Sequence, residues 1–174
     1  MGFFNNGKYY SLKNGTIEIS GVRMHQIKDK TPLQDAEDKI NELRIRRGKV
    51  LDVCTGLGYS AIKASEQKSL VTTIELDENV LKLAKENVDS KKLFNNPLIK
   101  IIIGDAFTEV KELPSSEFDI VMHDPPTISF AGELYSLEFY KELFRVLKHK
   151  GKLFHYTGSP GKNRGKNIPK GVAN

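Results

Sequence analysis

The chain has 174 residues, of which 39% are hydrophobic and 28% are charged, a composition that fits one globular domain with a buried core. No stretch approaches the roughly 18 consecutive apolar residues of a membrane-spanning helix, and the N-terminus lacks a secretory signal pattern. We therefore expect a cytoplasmic protein without a membrane partner. Because Cys54 is the single cysteine, an intrachain disulfide is excluded.

The net charge of +5 is concentrated at the C-terminal end. The last acidic residue is Glu142, whereas eight of the 27 basic residues lie from position 145 onward. We interpret residues 158–174 as a basic tail that contains glycine and proline. Such a tail is typical of a solvated segment, or of one that contacts nucleic-acid phosphates, which makes RNA a predicted partner.

Residues 1–30 are predicted to form a small β-hairpin extension. Asn14-Gly15 stands between two strand-like runs, residues 8–12 and 16–20, and is a strong signal for a two-residue turn. Residues 22–27 could add a third strand.

A helix is predicted to begin after the capping residue Thr31. Pro32 stands at the first helical position and Gln34 completes the capping pattern. The apolar periodicity places the end of this helix near residues 46–48, at a basic turn followed by glycine.

Strands and helices then alternate along a second predicted domain, residues 31–157. The strands are predicted at 50–53, 69–75, 98–103, 118–122 and 152–156, and the later helices at 61–64, 77–88, 106–113 and 136–147. This order predicts an α/β fold with a doubly wound, mainly parallel Rossmann-like sheet. Ligands of such sheets bind beyond the carboxyl ends of the strands.

The glycine turn Cys54-Thr55-Gly56-Leu57-Gly58 follows the first of these strands and precedes a helix. Glycines let the backbone approach a ligand closely, and a helix N-terminus presents N–H groups to an anionic group. The turn therefore predicts a nucleotide-binding junction, with a plain tight turn as the alternative.

Acidic side chains lie at or near the ends of four successive strands: Asp52, Glu75, Asp105 and Asp124. Glu75 comes 19 residues after Gly56, the separation at which an acid accepts hydrogen bonds from ribose hydroxyls. The glycine turn with Ala61 also matches the dinucleotide pattern, so an NAD enzyme stays open on spacing alone.

In four ordered segments the chain resembles class I S-adenosylmethionine-dependent methyltransferases: Asp52 to Gly58, Ile74 to Asp77, Gly104 to Ala106 and Phe118 to Pro126. Residues 123–136 and 154–158 resemble more closely a group of uncharacterised predicted archaeal methyltransferases. The likeness covers nearly the whole chain and implies S-adenosylmethionine as the cofactor.

The resemblance implies a role for each segment. The turn Cys54–Gly58 would hold the methionine part of the cofactor against backbone amides, with Asp52 near its ammonium group. Glu75 would bind the ribose. Asp105 would bind the adenine amino group, with Ala106 or Phe107 packed on the ring.

Asp124-Pro125-Pro126 resembles the Asp/Asn-Pro-Pro-aromatic signature of enzymes that methylate amino nitrogens. There the acid or amide and a carbonyl beside the proline align the lone pair of the target amine, which is catalysis mainly by orientation. The resemblance makes Asp124 and Pro125 catalytic candidates, with His123 as either a proton acceptor or a structural residue. Thr127 departs from the usual aromatic.

Two alternatives stay open. The N-terminal β unit and residues 134–140 also resemble aminopropyltransferases of the spermidine synthase type, which use decarboxylated S-adenosylmethionine and a small amine substrate. In addition, the two last strands of the methyltransferase sheet are expected to be missing, which makes a truncated cofactor-binding module the second alternative. An uncovered sheet edge would favour a homodimer. We predict no metal site, because the histidines show no metal-ligand spacing.

Overall fold

The computed structural model describes residues 1–25 and 29–156. Their strands and helices are β1 Gly2–Asn5, β2 Lys8–Lys13, β3 Thr16–Ile19, β4 Val22–Arg23, α1 Pro32–Leu43, β5 Gly48–Val53, α2 Tyr59–Glu66, β6 Ser69–Glu75, α3 Glu78–Glu86, β7 Ile99–Ile103, α4 Ala106–Glu109, β8 Phe118–His123, α5 Leu137–Val146 and β9 Leu147–His155. Short 3₁₀ helices follow α3 and α4 and precede α5, at Val88–Leu93, Val110–Glu112 and Gly132–Tyr135.

The predicted α/β fold is confirmed. Five parallel strands form one sheet in the order β7-β6-β5-β8-β9, with β5 at its centre. Since successive residues of a strand point to opposite faces, Val50 packs into the core on the side of α1 and α2, while Leu51 and Val53 pack with α5. The turn after β5 therefore emerges at the middle of the carboxyl edge.

The N-terminal unit is a four-stranded antiparallel sheet, one strand larger than the predicted hairpin with its third strand. β1 pairs with β2 across Asn6 and Gly7, which both have positive φ angles, 46° and 74°. This second tight turn is the signal that the prediction missed. Two residues of the predicted third strand, Gln26 and Ile27, lie outside the described residues.

Hydrogen bonds attach this small sheet to the parallel domain. Tyr10 donates its hydroxyl to Asp77 at 2.6 Å, and Tyr59 donates to the carbonyl of Gly15 at 2.8 Å. Because Asp77 begins α3 and Tyr59 begins α2, the N-terminal sheet lies beside the loops at the carboxyl edge.

The end of α1 and the start of the last strand differ from their predictions. α1 begins with the predicted capping box at Thr31, but it ends at Leu43, because Arg44 takes a left-handed conformation with φ 53°. The last strand begins at Leu147, five residues before the predicted 152, and contains an irregularity opposite Phe118 and Ile120.

β9 is an edge strand of the parallel sheet within the described residues. A homodimer through this edge stays a prediction, as does the predicted tail at 158–174, which lies outside the described residues. Among the helices of residues 1–25 and 29–156, none is long and apolar enough to span a membrane.

Candidate cofactor and acceptor site

The turn between β5 and α2 has the backbone geometry that its glycines require. Gly56 and Gly58 have φ angles of 56° and 75°, and Cys54 shares this left-handed region at 70°. A Cβ on Gly58 would lie 2.6 Å from the side chain of Leu93, so Gly58 is fixed by packing. A Cβ on Gly56 would meet only His25 Nε2, at 3.8 Å.

The backbone amides of this turn are largely used within the protein. Thr55 N–H donates to the carbonyl of Ile74 at 2.9 Å, and Gly58 N–H donates to the carbonyl of Thr55 at 2.8 Å. Gly56 N–H donates to the carboxylate of Glu75 at 2.8 Å. These three amides are therefore not directed at a ligand carboxylate, which differs from the cradle that the resemblance implies.

Glu75 links the turn after β5 with the loop after β6. Its Oε2 accepts from Gly56 N–H, and its Oε1 accepts from Asp77 N–H at 3.0 Å. Burial raises the pKa of Glu75 above its ordinary value. Because each carboxylate oxygen can accept two hydrogen bonds, Glu75 keeps acceptor capacity for a ribose hydroxyl.

Asp52 is the buried acid of the site, with 1% of its surface exposed. Its Oδ2 accepts from the hydroxyl of Thr73 at 2.7 Å, and the Thr55 hydroxyl lies 2.6 Å from that of Thr73. Oδ1 has no hydrogen bond of good geometry among the described residues, although the Ser60 side chain lies close enough to lower the pKa of this carboxyl group. Burial raises the pKa of Asp52 to about 7. An unpartnered, buried carboxylate oxygen fits a cofactor that carries an ammonium group.

The predicted adenine-binding residues lie at the end of β7. Asp105 is exposed, and its Oδ1 accepts from Phe107 N–H at 3.0 Å as the cap of α4. Ala106 is buried, and the ring of Phe107 packs parallel to that of Phe139, with 6.1 Å between centroids. The second carboxylate oxygen of Asp105 is available for an amino group.

Asp124 follows β8 and pairs with a residue that sequence reasoning missed, Lys39 of α1. The Lys39 Nζ lies 2.7 Å from Asp124 Oδ2 and 2.8 Å from Asp35 Oδ2. The same Nζ lies 4.7 Å from the ring centroid of Tyr156. The four-residue spacing of Asp35 and Lys39 on one helix face was visible in the sequence. Their approach to Asp124, 85 residues beyond Lys39, was not.

His25 is the second residue that the sequence did not assign to the site. Its Nδ1 lies 3.0 Å from the hydroxyl of Thr16, and its Nε2 faces Gly56. Burial lowers the pKa of His25 to about 4, so the ring is neutral at neutral pH. The N-terminal sheet thereby places an uncharged imidazole over the glycine turn.

His123 is fully buried behind Asp124. Its Nε2 lies 2.9 Å from the carbonyl of Leu134, which can only accept, so Nε2 carries the proton. Burial lowers the pKa of His123 to about 3, and its ring lies 4.5 Å from that of His155. This geometry favours the structural role over the proton acceptor.

The Asp-Pro-Pro segment is held by Tyr135, whose hydroxyl donates to the carbonyl of Pro126 at 2.9 Å. Pro125 is buried and Thr127 is exposed. Tyr135 therefore supplies an aromatic ring close to this segment. Within residues 1–25 and 29–156, no group of three or more His, Cys, Asp or Glu side chains could hold a metal ion.

Comparison with known families agrees with this fold. The model of the spermine/spermidine synthase domain matches residues 57–165, and the chain belongs to this family. The chain is 54% identical over 173 residues to the uncharacterised protein MJ1233 of Methanocaldococcus jannaschii. This match covers 97% of the chain and 59% of that protein. A predicted ribosomal RNA large subunit methyltransferase of the same organism is 31% identical over 83 residues. This match covers 47% of the chain and 21% of that protein.

Solved structures show the same fold. A spermidine synthase in complex with the transition-state analogue AdoDATO superposes with a TM-score of 0.70 at 19% identity, over 85% of this chain and 54% of that one. A predicted S-adenosyl-L-methionine-dependent methyltransferase from Methanococcus maripaludis superposes with a TM-score of 0.57 at 20% identity, over 81% of this chain and 60% of that one. At these identities the likeness shows a shared fold. The chain spans less than two thirds of the length of these relatives.

Proposed function

We propose that this chain binds S-adenosylmethionine and transfers its methyl group to an amine nitrogen held at Asp124. The observation that supports this proposal is the proximity of two acids, Asp52 in β5 and Asp124 after the neighbouring strand β8. Asp52 offers a buried, unpartnered oxygen for the cofactor ammonium, and Asp124 stands close enough to raise the pKa of Asp52 further. Asp52 would hold the ammonium group of the cofactor, and Asp124 would hold the acceptor amine.

Each residue of the site has a role in this proposal. When bound, the cofactor supplies a methyl group: the amine lone pair forms the new N–C bond, the S–C bond breaks with its electrons left on sulfur, and the amine loses a proton to water. Glu75 orients the ribose, while Asp105 with Ala106 and Phe107 orients the adenine. Asp124 and the backbone carbonyl beside Pro125 accept the amine N–H groups, which aims the lone pair at the methyl group.

RNA is the acceptor class that we propose. Its support is the excess of basic residues from position 145 onward, together with the name of the related M. jannaschii methyltransferase. The ring of Tyr135 beside Pro126 could stack on an exposed base, which would replace the aromatic that Thr127 lacks. In this proposal, residues 31–157 form the cofactor-binding domain and residues 158–174 form the basic tail that contacts RNA.

Aminopropyl transfer is the second candidate, and one specific observation favours it. Decarboxylated S-adenosylmethionine lacks the carboxylate for which free backbone amides would be needed, and the amides of Thr55, Gly56 and Gly58 are bonded within the protein. Membership of the spermine/spermidine synthase domain family is compatible with either reaction.

Parallel calorimetric titrations with S-adenosylmethionine, its decarboxylated form, methylthioadenosine and NAD would test these candidates. The proposal expects the tightest binding for intact S-adenosylmethionine, followed by the transfer of a labelled methyl group to bulk RNA. Preference for the decarboxylated cofactor would replace it with aminopropyl transfer to an amine, and preference for NAD would restore the dinucleotide alternative. Failure of all four to bind would identify a module without activity.

A further inference from the structure

Lys39 is surrounded by groups that proteins use to bind an ammonium ion. Its Nζ lies between the carboxylates of Asp124 and Asp35, at 2.7 and 2.8 Å, and stands over the ring of Tyr156. The ring of Phe154 lies farther away, with its centroid 6.0 Å from Nζ. Only 14% of the Lys39 side chain is exposed. We refer to Asp35, Asp124 and Tyr156 as the ammonium cage.

The cation in this cage is permanent at neutral pH. Burial lowers the pKa of Lys39, but the carboxylates of Asp124 and Asp35 more than offset this, so that its pKa lies above the ordinary value. The other titratable groups that interact electrostatically with this cluster include His25, which is neutral, and the buried Asp52; His155, Tyr135 and Cys54 lie near Asp124 as well. No neighbouring group in the described chain therefore displaces Lys39 from the cage.

We propose that Lys39 determines acceptor specificity by occupying the ammonium cage, which closes Asp124 to cationic amines and restricts acceptors to uncharged nitrogens. This inference rests on the proposed role of Asp124 as the acid that receives the acceptor. An alkylammonium ion would have to approach Asp124 against the charge of Lys39, at a separation where like charges repel strongly. It would also present no lone pair.

An uncharged amine meets no such barrier. Lys39 uses Asp124 Oδ2, and no described residue donates a hydrogen bond to Oδ1. The Asp124 side chain is 34% exposed, so Oδ1 can accept an N–H group from solvent-accessible substrate. The exocyclic amino group of a nucleobase has this chemistry, because it carries N–H donors and no positive charge. Diamines, which are charged at neutral pH, do not.

The test measures the binding of 1,4-diaminobutane by calorimetry, without cofactor, to the wild-type chain and to variants of Lys39. Lys39→Met keeps the length of the side chain and removes its charge, whereas Lys39→Arg keeps the charge. We expect no measurable binding to the wild type or to Lys39→Arg. Lys39→Met should bind the diamine measurably, with an affinity at least about tenfold above the detection limit set for the wild type, as expected for a charge-assisted hydrogen bond to Asp124.

Two controls locate the effect. Lys63→Met removes another lysine of low exposure, 17%, which pairs with Glu37 and Glu66 outside the cage, and it should gain no diamine binding. Adding Asp124→Asn to Lys39→Met should abolish the gained binding. If Lys39→Met fails to fold, as judged by circular dichroism and thermal melting, Lys39→Gln is measured in its place.

Equal diamine binding by the wild type and the uncharged variant would overturn the inference, and so would a folded Lys39→Met or Lys39→Gln that binds no diamine. Neither readout uses S-adenosylmethionine. A chain that binds no S-adenosylmethionine but gains diamine affinity on loss of Lys39 would refute the methyltransferase proposal while it supports the cage. If the wild-type chain transferred methyl groups and also bound diamines, the methyltransferase proposal would be supported and the cage inference refuted.

Discussion

The carboxylate of Glu75 accepts the backbone N–H of Gly56 at 2.8 Å, across 19 residues of sequence. It accepts the N–H of Asp77 as well, at 3.0 Å. The acid assigned to the cofactor ribose therefore also fixes the glycine turn and the start of α3. If Glu75 has this proposed role, cofactor binding and the conformation of two loops depend on the same side chain.

Glu75→Ala is expected to weaken both stability and cofactor binding. The substitution leaves two backbone N–H groups without their acceptor, which should lower the free energy of unfolding by about 2 kcal/mol. Loss of the ribose contacts should reduce S-adenosylmethionine affinity by about tenfold or more. Urea denaturation and calorimetry measure the two effects.

Glu75→Gln is the matched variant. Its amide oxygen can accept from one of the two N–H groups, but its NH₂ group faces the other donor, so an intermediate loss of stability is expected. An alanine variant with wild-type stability and affinity would contradict both roles of Glu75.

The fold and half of the site follow from local sequence signals. Strand ends were predictable because each parallel strand stops at a change from apolar to polar residues, as at Glu75, and parallel strands bring such ends to one edge. Lys39 and His25 escaped prediction, because they reach the site from α1 and from the end of the small antiparallel sheet. Their position depends on how whole elements pack, which periodicity does not encode.

The acid–base behaviour of Asp52 gives a prediction for stability. Its pKa in the folded protein, about 7, exceeds the value of about 3.9 expected in the unfolded chain. The folded state therefore holds the proton more tightly, and the stability that this adds at low pH is lost as the pH rises from about 4 to 7. Asp52→Asn cannot titrate, so relative to the wild type it should gain stability over this range, by up to about 4 kcal/mol.

Chemical denaturation of both proteins at several pH values measures this difference. His25 and His123 act with the opposite sign, because their lowered pKa values make folding less favourable as the pH falls below about 6.5. Both histidines are present in the two proteins, so the difference between them isolates Asp52. A difference that does not change with pH would show that Asp52 has an ordinary pKa.

Asp52 should also make cofactor binding depend on pH. An ammonium group binds the ionised carboxylate, so wild-type affinity for S-adenosylmethionine should fall as the pH drops below about 7. In Asp52→Asn the affinity should be low throughout and should lack this dependence. Calorimetry between pH 6 and 8 checks the prediction, and identical pH profiles for the two proteins would remove Asp52 from the cofactor site.

Gly58→Ala tests the packing of the turn. The new Cβ would lie 2.6 Å from the Leu93 side chain and would occupy a backbone with φ 75°, so we expect a loss of stability of about 1–3 kcal/mol. Gly132→Ala is the control, because a Cβ there meets no atom within 4 Å. Equal denaturation midpoints for the two variants would contradict the close approach at Leu93.

Asp124→Ala separates acceptor binding from cofactor binding. The side-chain hydrogen bond of Asp124 goes to Lys39, whereas the proposed cofactor contacts are made by other acids. S-Adenosylmethionine affinity should therefore stay within about threefold of the wild type. Methyl transfer should fall by about 100-fold or more, because the acceptor amine is no longer oriented. Calorimetry and a labelled-methyl transfer assay on RNA measure the two quantities.

Asp124→Asn distinguishes orientation from charge. The amide oxygen still accepts an N–H group, so part of the transfer activity should return. Lys39 keeps Asp35 as its partner at 2.8 Å, which limits any structural change in both variants. If Asp124→Ala lost cofactor affinity as strongly as Glu75→Ala, Asp124 would belong to the cofactor site. If Asp124→Asn were as inactive as Asp124→Ala, the negative charge itself, rather than hydrogen-bond orientation, would be the property that transfer requires.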